Sequence, residues 1–84
     1  MRLDKFLKVS RLIKRRSVAK ELCDKGRVCV NGRAAKAGTE ITEGDQLNIS
    51  LGKKVLEVEV KKTATTVKAE EAGELYTILS EKGK

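Results

Sequence analysis

Residues 16–33, Arg16-Ser17-Val18-Ala19-Lys20-Glu21-Leu22-Cys23-Asp24-Lys25-Gly26-Arg27-Val28-Cys29-Val30-Asn31-Gly32-Arg33, hold a helix, its stop, a strand and a tight turn in unbroken succession. Ser17 suits an N-cap, because its hydroxyl can accept from an unpaired N–H of the first helical turn. Val18–Lys25 then reads as a helix with Val18, Ala19 and Leu22 on its buried face and Cys23 at the edge. Gly26 suits the left-handed position that closes many helices. Val28-Cys29-Val30 is a short apolar strand, and Asn31-Gly32 supplies the two positive-φ residues of a type I′ turn into Arg33-Ala34-Ala35. A helix that feeds directly into a hairpin points to an α+β class.

Working outward, Leu3, Phe6 and Leu7 make an i, i+3, i+4 stripe with Lys5 and Lys8 on the other side, so a first short helix is expected. Ser10 is expected to cap one further turn through Leu12–Lys14. Downstream, Leu47, Ile49 and Leu51 alternate with Asn48 and Ser50, and Leu56, Val58 and Val60 alternate with Glu57 and Glu59. Turns at Glu43-Gly44-Asp45 and Gly52-Lys53 bound these two half-buried strands. Residues 63–66 read as a connector. Ala69, Ala72, Tyr76 and Leu79 then recur at helical spacing beside Leu75, with Glu70, Glu71 and Glu74 in the early turns, where the helix dipole favours acids. The expected architecture is therefore two to three short N-terminal helices on a small, mainly antiparallel sheet, plus a C-terminal helix. Residues 1–62 form the main unit and 63–84 a connector and helix packed on it.

Composition narrows function. Residues 1–36 carry twelve Lys or Arg against three acids, a net +9, while residues 37–84 carry seven against nine, a net −2. Such a lopsided balance favours a polyanionic partner, nucleic acid first. The chain has no His, which removes the commonest general acid–base, and its carboxylates sit in polar surroundings, so an enzyme is not expected. Two cysteines without His cannot close a structural metal site, and no metal or cofactor is expected. The apolar runs are too short for a signal sequence or a membrane span, which makes cytoplasmic residence the default. Phe6 and Tyr76 are the only aromatics, so base stacking on an aromatic platform is unavailable. Recognition must rest on phosphates, 2′-hydroxyls and the shape of folded RNA.

Laid onto the expected elements, the cations cluster. Arg2 opens the first helix, Lys14, Arg15 and Arg16 fill the bend, Lys20 lies one turn into the second helix, and Arg33 and Lys36 follow the hairpin turn. A helix–bend–helix backed by a hairpin can present these groups as one ridge. Neutralising several phosphates there would make binding steeply salt-dependent.

The combination Arg2-Leu3-Asp4-Lys5-Phe6-Leu7, Arg16-Ser17-x-Ala19-x-x-Leu22, Gly26-Arg27-Val28-x-Val30-Asn31-Gly32 and Gly44-Asp45 resembles the RNA-binding module first recognised in the fourth small-subunit ribosomal protein, also called the alpha-L motif. The resemblance covers residues 1–50. It implies short helices on a small twisted sheet, with Arg2, Lys5, Arg16 and Lys20 facing RNA and Arg11, Lys14 and Arg15 reinforcing them. Asp4 would orient a neighbouring Arg or touch a partner; its plainer role is a helix N-terminal charge. With no catalytic domain attached, the chain resembles the stand-alone bacterial branch that acts in ribosome-associated quality control, related to the heat-shock proteins that bind free large subunits. The lack of a basic tail favours the quality-control side. That resemblance implies contact with large-subunit rRNA and peptidyl-tRNA on obstructed subunits, beside a larger tRNA-recruiting factor, in support of C-terminal tailing of stalled chains. The expected protein is a monomeric, non-catalytic, ribosome-associated factor. The alternatives are a protein-interaction adaptor, with its acidic sheet and C-terminal helix as the working surface, and a general structured-RNA-binding or ribosome assembly module.

Overall fold

Gly26 ends the second helix as its position in the sequence predicts. In the computed structural model, which describes residues 1–64 and 68–83, helix α2 spans Arg16–Asp24 and Lys25 caps it. Gly26 follows at φ +71°. The Gly26 N–H donates to the Cys23 carbonyl and the Arg27 N–H to the Leu22 carbonyl, both at 3.0 Å. This reciprocal pair satisfies carbonyls the helix would otherwise orphan and turns the chain into the sheet. Strand β1 (Val28–Val30) runs into β2 (Arg33–Ala34) through Asn31 at φ +51° and Gly32 at φ +85°.

Five strands form one antiparallel sheet in the order β2-β1-β3-β4-β5, with β3 at Gln46–Leu51, β4 at Lys54–Val60 and β5 at Tyr76–Gly83. Leu47, Ile49, Leu56, Val58 and Val60 point to one face and are buried, as the period-two alternation requires. Helix α1 (Leu3–Val9) and α2 cover that face, adding Leu3, Phe6, Leu7, Ala19 and Cys23 to the same core. Opposite them, Cys29, Asn48, Glu57 and Ser80 form a cross-strand row on the uncovered face.

Four expectations are corrected. The C-terminal helix is instead a short 3-10 helix, Ala69–Leu75, followed by β5, which pairs along β4. Val58 faces Ile78 and Glu57 faces Ser80, so Leu79 is an extra residue bulged out of the ladder. Ser17 is not the N-cap of α2. The helix starts two residues earlier, at Arg16, with Arg15 in the cap position and no side-chain cap. Ala19 and Cys23, one turn apart, face the core, while Val18 is 41% exposed. No further helical turn forms at Leu12–Lys14, and the Ser10 hydroxyl donates back to the Leu7 carbonyl at 3.2 Å. Thr65 and Thr66 of the expected connector lie outside the described residues.

The hairpin turn is tied to the loop preceding β3. Asn31 Oδ1 accepts from the Gln46 N–H at 2.9 Å, and its Nδ2 donates to Asp45 Oδ1 at 3.1 Å. Asp45 Oδ2 in turn accepts from the Thr42 N–H at 2.9 Å. Asn31→Ala removes both bonds and puts a residue less tolerant of left-handed backbone at φ +51°. An expected loss of about 1–2 kcal/mol is checked by denaturant unfolding of both proteins.

Candidate nucleic-acid interface

The first turn of α1 has no side-chain cap, and its N–H groups find partners elsewhere. Leu3 and Asp4 donate to the Thr39 and Ala37 carbonyls at 2.8 and 3.1 Å, so the segment before β3 straps the helix start in place. The Lys5 N–H donates to Asp4 Oδ1 at 2.8 Å. Asp4 is thereby held under the surface, its side chain 4% exposed.

Two guanidiniums close over that carboxylate. Arg2 Nε donates to Asp4 Oδ1 at 3.2 Å and its Nη2 reaches Oδ2 at 3.5 Å. Arg16 Nε, arriving from the first turn of α2, donates to Oδ2 at 3.2 Å. Both arginines remain about half exposed. Because Arg16 spends only its Nε inward, its terminal nitrogens stay available in the planar fork that suits phosphate oxygens. The Arg2 guanidinium lies over Gly38, its Nη2 3.7 Å from where a β-carbon would stand. Burial pushes the Asp4 carboxyl up, but hydrogen bonds from Arg16, Arg2 and the Lys5 N–H, with the Arg16 charge, outweigh it. The group titrates below its ordinary value and stays ionised. Beneath it, burial first, and then the charges of Asp4 and Asp24, push the Cys23 thiol up to about 11. That thiol is inert packing, and both cysteines are free.

The remaining expected residues divide. Lys20 is exposed one turn after Arg16, and Arg15 is exposed at the helix start. Lys5 is half-buried. Arg11 and Lys14 line a surface depression of about 260 Å³ together with Lys8, which was not among the expected site residues. Its signal was present in the sequence: Lys8 stands three residues before Arg11 and six before Lys14, within the same basic opening stretch. Arg33 stands apart on β2, at the outer edge of the sheet, and among the described residues no hydrogen bond or ion pair joins it to the ridge.

Charge neutralisation is equally uneven. Lys54, Lys61 and Lys62 pair with Glu81, Glu59 and Glu74 on the strand side of the molecule. Lys8, Arg11, Lys14, Arg15 and Lys20 make no ion pair among the described residues. Arg11 also holds φ +62°, directly after the Ser10 cap of α1. A left-handed non-glycine residue costs about 1–2 kcal/mol, more than the 0.3–1 kcal/mol that a cation near a helix C-terminus typically returns.

Short helices against a twisted sheet, with a basic ridge at their junction, define an RNA-binding module of the S4 class. The S4-domain family model matches residues 1–47, and the chain belongs to that family. Its kinship extends beyond the module. It is 58% identical over 81 residues to the RQC P-site tRNA stabilizing factor of Halalkalibacterium halodurans, spanning 96% of this chain and 92% of that one. The factor of the same name from Bacillus subtilis is 54% identical, with 96% and 94% covered. Among solved structures, heat shock protein 15 of Vibrio cholerae, described as trimeric, superposes with a TM-score of 0.88 at 31% identity, over 95% of this chain and 82% of that one. The solution structure of the hypothetical protein HP1423 gives 0.81 at 30% identity, over 95% and 98%.

Proposed function

We propose that this protein is a non-catalytic RNA-binding factor of ribosome-associated quality control. It contacts rRNA and the P-site peptidyl-tRNA on obstructed large subunits, in the cytoplasm, and so supports C-terminal tailing of the stalled chain. The observation that carries the proposal is the buried Asp4 carboxylate gripping Arg2, at the cap of α1, and Arg16, in the first turn of α2. It fixes two phosphate-binding forks at one place without neutralising their outward faces. The names of the full-length relatives, RQC P-site tRNA stabilizing factors, supply the biological setting. Residues 1–62 carry the RNA contacts, and β5 at Tyr76–Gly83 completes the sheet. The factor works as a monomer beside a larger tRNA-recruiting protein.

The uncovered sheet face, where Glu57 lies half-buried without an ion pair among the described residues, favours a second, complementary role in meeting that protein partner. Cosedimentation of tagged protein with ribosomal fractions tests the main reading. The protein is expected in large-subunit fractions bearing peptidyl-tRNA when stalling is provoked. Absence from them under stalling conditions would overturn it. Reversing the charge of Glu57 is expected to leave that cosedimentation intact while reducing tailing.

A further inference from the structure

We infer that Lys8, Arg11 and Lys14 form a separate seat for one backbone phosphate of RNA, and that Arg11 holds its left-handed conformation because its guanidinium is required there. The inference rests on the RNA-binding reading and adds to it a second contact point, independent of the Asp4-held pair. Among the described residues, three cations line the depression and no carboxylate does. No aromatic ring lines it either, so a base would find nothing to stack on, while phosphate oxygens find three donors.

The backbone supplies an independent reason. Helix α1 ends at Val9, Ser10 caps it, and the next residue sits at φ +62°, where glycine is free of steric cost. A plain helix-capping charge does not account for arginine there, because Lys8 already places a cation in the last turn. Strain kept at an exposed position is a mark of a side chain retained for contact. Placement agrees: Lys8 lies in the last turn of α1, Arg11 follows the Ser10 cap and Lys14 stands in the bend before α2, so the turn out of the helix gathers the three. The Asp4 carboxylate bonds Arg2, Arg16 and the Lys5 N–H and none of these three cations, so the seat does not duplicate the Asp4-held pair.

The test uses the full-length protein and R11G, R11K, K8A and K14A. R11G is expected to raise the thermal midpoint by a few degrees, since glycine relieves the left-handed strain. It is also expected to weaken binding to purified large subunits carrying P-site tRNA about 3–10-fold and to flatten the slope of log affinity against log salt by about one. R11K keeps the slope, and K8A and K14A each reduce it. Titration with inorganic phosphate, followed by amide NMR shifts, is expected to perturb residues 8–14 in the native protein and not in R11G. An R11G variant with unaltered slope and unaltered phosphate response would overturn the seat, and one with a lowered midpoint would overturn the strain argument. Should the native protein ignore the subunits while phosphate still moves residues 8–14, the RNA reading falls and the anion seat stands.

Discussion

Asp4→Asn is expected to weaken association with large ribosomal subunits about tenfold, although it adds one unit of positive charge to the ridge. The two effects have opposite signs, which makes the variant decisive. If diffuse attraction did the binding, removing a carboxylate from among the cations would strengthen it. If aimed guanidiniums do the binding, losing the charge that both Nε atoms engage frees Arg2 and Arg16 to wander, and ordering them must then be paid at each encounter. Tighter association of Asp4→Asn would therefore reject the clamp. Asp4→Ala goes further, leaving the Lys5 N–H without its acceptor and a void under α1. A cost of about 2 kcal/mol, or roughly 10 °C in thermal midpoint, is expected. The ion-pair share of that figure is small because both guanidiniums are half exposed. The sign with pH follows from the lowered carboxyl pKa. The stabilisation is complete above the unfolded value of 3.8 and disappears as pH falls through the lower folded value. Acid unfolding of the native protein should therefore lose its advantage over Asp4→Asn below that range.

Arg16→Ala, and next Arg2→Ala, should reduce ribosome association more than any other single truncation on the ridge. A charge-assisted contact is worth about 1.5–3 kcal/mol, so each loss corresponds to roughly a tenfold to hundredfold change. The salt slope should fall by about one for each. Because both residues share Asp4, the double variant should lose less than the sum of the two singles. Lys82→Ala, on β5 and far from the helices, is the control. Salt-series cosedimentation of the four proteins measures all of this. Equal losses from Lys82 and Arg16 would show that the ridge has no special standing.

Much of this molecule is legible in the sequence. Gly26 and Asn31-Gly32 announce their positive φ because few other residues tolerate it, and the alternation through 47–60 permits only one buried face. The clustering of Arg2 and Arg16 followed from the motif. The depth of Asp4 did not, since a lone aspartate at a helix start reads as ordinary surface charge. Burial came from the strap at Ala37 and Thr39, a contact across more than thirty residues that no local pattern encodes. The end of the chain misled for a related reason. Ala69, Ala72, Tyr76 and Leu79 fit a helical period, yet Gly73 weakens a helix and Thr77 and Ile78 are β-branched. The open edge of β4, with its unspent N–H and carbonyl groups, decided between the two. Arg33, grouped with the ridge by charge, lies on β2, the edge strand beside β1.

Leu79 stands at the outer margin of the sheet, displaced from register and facing solvent. A second molecule offering a strand to that margin would meet a broken comb of hydrogen-bonding groups and a local twist that throws its own chain off line. One misaligned residue thus guards a small β-fold with an exposed edge against fibrillar accretion, and straightening it by deletion should trade solubility for a longer ladder.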